Sequence, residues 1–132
     1  CANISVIRFD GSLYFANTSY FEDKVLERVA FRPNLRYMII VGDGINQIDA
    51  SGEEMIAHLA ERLEKVGIAL LFTGLKRQVL EVFQRTGLFD KLGTGSFFRT
   101  EGQALEHVWQ QLGNSHEADC PLNVVCPITP AG

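Results

Sequence analysis

Two apolar runs without polar alternation, Arg36–Val41 (RYMIIV) and Ile68–Phe72 (IALLF), are the feature that most restricts the fold. A strand that alternates apolar and polar residues is covered on one face; an unbroken run is covered on both. Each run is followed by a stretch with helical spacing and then a glycine. After the first, Met55, Ile56, Leu59, Leu63 and Val66 recur on one helical face and Gly67 ends it; after the second, Leu75, Val79, Val82 and Phe83 do so and Gly87 ends it. Buried strands alternating with helices predict a mostly parallel sheet with crossover helices, an α/β fold.

The flanks extend this pattern. Ile4–Phe9 and Ser12–Ala16 are β-rich and separated by Asp10-Gly11, a strong hairpin signal, so the sheet is expected to open with a β-hairpin. Phe21, Val25, Leu26 and Val29 mark a helix ended by Pro33, with Ser19 and Glu22 at capping-box spacing. Phe97-Phe98 is a short strand candidate. Thr100 and Gln103 form another capping box, for a last helix carrying Leu105, Val108, Trp109 and Leu112 and stopped by Gly113. The predicted order is β-β-α-β-α-β-α-β-α over residues 1–113. Residues 114–132 lose all periodicity and hold three of the four prolines, so they read as a tail, mobile or packed on a neighbour.

Composition narrows the function. The 132 residues are enough for one core, 46% of them are apolar, and the net charge of −4 argues against a nucleic-acid surface. The longest apolar run is far below the ~20 residues needed to span a bilayer, and no signal peptide is visible. The first residue is Cys1 rather than Met, as in an excised or processed piece. Three cysteines suit a reducing compartment; Cys120 and Cys126 read as a chance pair of thiols. His58 lies beside Glu54 and Arg62 on a solvated helix face. No spacing fits a metal site, and no nucleophile is paired with a base, so neither a metal nor enzymatic activity is expected.

Two strand-to-helix junctions are candidate sites. At the first, Asp49-Ala50-Ser51-Gly52, Ser51 and Glu54 have capping-box spacing, so Ser51 is the expected cap. Asp43, Asp49, Glu53 and Glu54 crowd this junction and would repel a phosphate. The second, Thr73-Gly74 followed by Lys76 and Arg77, carries positive charge. It reads as a surface turn with two solvated cations or as a phosphate site at a helix start.

The motif DASG (Asp49–Gly52) resembles the Asp-Ser/Thr-Ser-Gly motif of STAS domains, shared by anti-sigma-factor antagonists and sulfate-permease transporters. Phe9–Asn17 (FDGSLYFAN), the phrase around Gly42–Ile56 (GDGINQIDASGEEMI) and Gly74–Gly93 (GLKRQVLEVFQRTGLFDKLG) resemble the C-terminal STAS domain of SulP anion transporters. The likeness covers Ile4 to Gly113. It implies a STAS fold and a cytosolic domain of a membrane transporter at the cytoplasmic face of the inner (plasma) membrane. That domain would serve assembly, regulation or docking. Its partners would be the membrane domain of the same transporter, a second copy in a homodimer and a cytosolic protein. The antagonists are phosphorylated at the motif's second position, here Ala50, which has no hydroxyl. An antagonist-like protein and a weak GTP- or ATP-binding sensor, holding nucleotide at Thr73, Gly74, Lys76 and Arg77, are the alternatives.

Overall fold

The computed structural model describes residues 3–112. Its strands are β1 (Ile4–Arg8), β2 (Gly11–Leu13), β3 (Tyr37–Val41), β4 (Ile45–Ile48), β5 (Ala69–Thr73) and β6 (Phe97–Phe98). Its helices are α1 (Thr18–Phe31), α2 (Ala50–Lys65), α3 (Arg77–Thr86), α4 (Leu88–Leu92) and α5 (Glu101–Leu112). The main sheet has the order β1-β3-β5-β6, and β2 and β4 form a separate two-stranded sheet. Every pairing among the described residues is parallel. Gly113 and the expected tail lie outside the described residues.

The unbroken apolar runs are explained by two cores, one on each face of the main sheet. Along β3, Met38 and Ile40 face a cluster with Phe21, Ile56, Leu59 and Phe83 from α1, α2 and α3. Ile39 and Val41 face the other way, against Ala104, Leu105 and Val108 of α5. All four β3 side chains are at most 2% exposed. Each such Ile or Leu contributes about 1.5–3 kcal/mol relative to an exposed one.

The expected hairpin is not present. β1 and β2 do not pair with each other; β1 pairs with β3, and β2 with β4. Pairing continues across the gap through the Phe9 N–H to Val41 O (3.4 Å) and the Gly11 N–H to Gly44 O (2.8 Å). Asp10-Gly11 and Gly42-Asp43-Gly44 are therefore matched corners in two chains that travel together. Gly11, at φ +122°, turns the corner without closing a hairpin.

Three other expectations change. β4 has no counterpart among the expected strands, because Asn46 and Gln47 are polar and exposed at its centre. α4 was not expected: it has five residues, too few to show helical spacing. Ser19 is not a cap, since α1 begins at Thr18 after a 3-10 turn over Phe15–Asn17. The Asn17 side chain reaches back instead, accepting from the Tyr14 N–H at 2.9 Å and donating to Ser12 O. The cap at Thr100 is found as expected: its hydroxyl accepts from the Gln103 N–H at 3.1 Å, and the Gln103 side chain accepts from the Arg99 N–H at 3.2 Å.

Candidate functional site

The carboxyl ends of the parallel strands gather both junctions at one edge of the molecule, where ligands bind in open α/β sheets. Close backbone approach builds this edge. Gly42 donates to Thr73 O at 2.8 Å, and the Asp49 N–H donates to Leu13 O at 3.1 Å. The second bond seats the start of α2 on β2.

The helix start differs from expectation. Asp49, not Ser51, caps α2: its carboxylate accepts from the Gly52 N–H at 2.8 Å, while Ser51 lies inside the first turn and is half-buried. An aspartate three residues before a free N–H is a full cap by itself. Gly52 follows from packing. A Cβ there would stand 2.4 Å from Leu13 O and 2.8 Å from Ile48 Cγ1. Ala50 is the exposed member of the motif, at the first helical position.

The four residues of the second junction are adjacent in sequence but do not converge. Thr73 is fully buried and its hydroxyl has no hydrogen-bond partner among the described residues. The Gly74 N–H donates to Phe98 O at 2.9 Å, holding β6. Gly74 has φ +63°, a left-handed conformation that favours glycine, and a Cβ there would meet Asp43 Oδ1 at 2.0 Å, so another residue would also have to push the Asp43 side chain aside. The Lys76 ammonium donates to Asn46 Oδ1 at 2.6 Å, and the highly exposed Arg77 lies 3.9 Å from Glu81.

The crowding of carboxylates at the first junction is also resolved into separate contacts. Asp43 lies against Gly74, Asp49 caps α2, and Glu53 accepts from the Thr86 hydroxyl of α3. Sequence reasoning missed Asp49 as the cap, Asn46 as the lysine's partner and Asp43 as the neighbour of Gly74. Only the first had a local signal, an aspartate directly before the helix.

A groove of about 870 Å³ opens beside this junction, between α3 and the β5–β6 edge. Phe72, Phe97 and Phe89 line it, with Phe97 stacked on Phe72 at 5.8 Å and on Phe89 at 4.7 Å. Gly74 and Arg77 reach it, whereas Thr73 and Lys76 do not line it. Among the described residues, no group of three or more His, Cys, Asp or Glu side chains could hold a metal ion.

A parallel sheet with helices on both faces and a helix that DASG caps and opens defines a class, and comparison identifies it. The STAS domain family model matches residues 2–104, and the chain belongs to that family. Within it, sequence relatives of this chain include sulfate transporters. Sulfate transporter 1.1 of Arabidopsis thaliana is 28% identical over a 111-residue alignment that covers 77% of this chain and 17% of the transporter. The STAS domain of a SulP transporter from Vibrio cholerae superposes with a TM-score of 0.69 at 17% identity, covering 83% of this chain and 84% of that one. The unphosphorylated anti-sigma factor antagonist SpoIIAA superposes with a TM-score of 0.67 at 21% identity, covering 86% and 94%. The chain spans less than a fifth of the length of the curated transporters it matches. No described helix is long and apolar enough to cross a membrane.

Proposed function

We propose that this chain is the cytosolic STAS domain of a SulP-type anion transporter, acting at the cytoplasmic face in assembly, regulation or docking rather than in catalysis. Its partners on this reading are the membrane domain of the same polypeptide, a second copy in a homodimer and cytosolic proteins. The observation that carries it is Ala50. The chain keeps the capped DASG turn but places a methyl group, exposed at the first helical position, where the antagonists are phosphorylated. The transporter relatives supply the other half of the reading.

The direct test is sulfate uptake by cells producing the full-length protein, with and without this domain, at matched membrane abundance. Reduced uptake or failed assembly on its removal is expected; unchanged uptake overturns the reading. Treatment with an antagonist-type Ser/Thr kinase separates the alternative. Stoichiometric phosphate on Ser51 would return the chain to the antagonist class.

Nucleotide is a weak ligand at most on this reading. The Gly74 N–H is committed to Phe98 O and the Lys76 ammonium to Asn46 Oδ1, so the start of α3 offers a phosphate few donors.

A further inference from the structure

The solvent side of α1 carries an aromatic residue at each end. At 3.6 residues per turn, Tyr20, Lys24, Glu27 and Phe31 fall within an arc of about 60°, turned away from the buried Phe21 and Val25. Tyr20 is 59% exposed and Phe31 77%, the highest value for a large apolar side chain among the described residues. Lys24 and Glu27 are exposed between them. Two rings on one outward stripe contribute nothing to the domain's own core.

The stripe is complementary to itself. Tyr20 and Phe31, and likewise Lys24 and Glu27, are placed symmetrically about the point between Val25 and Leu26. A second α1 laid antiparallel against it, related by a two-fold axis at that level, sets Tyr20 opposite the partner's Phe31 and Lys24 opposite the partner's Glu27. Both charges are available. Neither Lys24 nor Glu27 forms an ion pair among the described residues, and the Lys24 ammonium only lies over the Tyr20 ring at 5.6 Å. A groove of about 380 Å³ has Tyr20, Lys24 and Glu27 on its α1 wall. It adjoins Tyr20, where the partner's Phe31 would reach.

We propose that this face of α1 docks a second copy of the chain as an antiparallel helix pair, with two Tyr20–Phe31 contacts and two Lys24–Glu27 ion pairs. The proposal rests on the homodimer of the transporter reading and adds its surface and orientation. A parallel pair is disfavoured, because it sets Lys24 on Lys24 and Glu27 on Glu27. A single helix pair buries less than the roughly 1,200 Å² of a stable interface. The isolated chain should therefore dimerise weakly, with Kd on the order of 0.1–1 mM. Tethering raises the effective concentration of two copies to about a millimolar, enough to populate such a contact.

The test is sedimentation equilibrium of residues 1–132, under reducing conditions, at concentrations up to about 1 mM. A monomer–dimer equilibrium is expected. Phe31→Ser should weaken it at least about tenfold, since each dimer loses two buried rings. Lys24→Glu and Glu27→Lys should each weaken it about tenfold by setting like charges opposite one another. An equimolar mixture of those two variants should regain the native affinity, as should the double variant Lys24→Glu/Glu27→Lys. All of these side chains are exposed, and amide spectra unchanged outside α1 check that the fold is kept. A chain monomeric throughout, a dimer insensitive to Phe31→Ser, or a mixture no tighter than its components would overturn the proposal. So would a monomer that binds phosphatidylglycerol vesicles through Phe31, which would give the stripe to a membrane surface. Sulfate uptake that needs the domain although the chain stays monomeric would refute this surface and leave the transporter reading standing. Uptake indifferent to the domain would refute that reading, and with it the homodimer this surface serves.

Discussion

Gly52→Ala is expected to destabilise the domain even though it places a better helix former inside a helix. Alanine exceeds glycine in a helix by about 1 kcal/mol. Against that, the new Cβ would lie 2.4 Å from Leu13 O, a backbone atom that cannot rotate aside. A comfortable C···O contact is about 3.3 Å, so the first turn of α2 must withdraw by roughly 0.9 Å. The Asp49 N–H to Leu13 O bond, now 3.1 Å, would then exceed bonding distance, at a cost of about 1 kcal/mol. Overpacking against Ile48 adds about 1–3 kcal/mol. The net loss is about 1–3 kcal/mol, read as a fall in Tm of roughly 5–15 °C by calorimetry or denaturant titration. Gly102→Ala is the control. Gly102 lies in the first turn of α5, where a Cβ meets only Thr100 Oγ1 at 3.9 Å. That variant should gain up to about 1 kcal/mol. If Gly52→Ala is as stable as the native chain, or both variants move in the same direction, the packing account of Gly52 is wrong.

Asp49→Ala should cost at least about 1 kcal/mol as a lost cap, and Ser51→Ala less than about 0.5 kcal/mol; denaturant midpoints that reverse this order would restore Ser51 as the cap. The hydrogen bond and charge of Lys91, 2.7 Å away, hold Glu61 below its ordinary carboxylate range. Stability linked to this pair is therefore complete above the ordinary carboxylate pKa and is lost as pH falls through the lowered folded value. Lys91→Met should return the Glu61 titration, followed by carboxyl NMR shifts, towards ordinary values. GTP and ATP should bind no tighter than about 0.1–1 mM, and a micromolar titration at Thr73–Arg77 would show that the committed donors are released for ligand.

What the sequence made legible was what neighbours in the chain decide. The unbroken runs at β3 and β5 announced burial on both faces because their own residues alternate between the two cores. Gly67 and Gly87 marked helix ends through their positive φ, and Thr100 capped α5 through a bond three residues away. The misreadings at Asp10-Gly11 and at the second junction involve partners distant in sequence, whereas those at the starts of α1 and α2 shift a cap by two residues. Asp10-Gly11 looks the same in a hairpin and in a corner, and the strand that decides between them is β4, disguised by its exposed polar centre. At the second junction the partners of Lys76 and Gly74 are Asn46 and Phe98, which no local spacing reveals.

The DASG turn separates the same way into parts the fold requires and a part it leaves open. Asp49 is held by its cap on the Gly52 N–H, and Gly52 by the backbone of β2 pressed against it. Ser51 is half-buried in the first turn, whereas Ala50 is exposed and serves none of these contacts. A hydroxyl at position 50 could therefore be gained or lost with little effect on folding. Asp49 and Gly52 would persist for structural reasons in a chain whose function never uses phosphate. The motif is thus evidence of the STAS fold, and the residue at its second position is the one that bears on the switch.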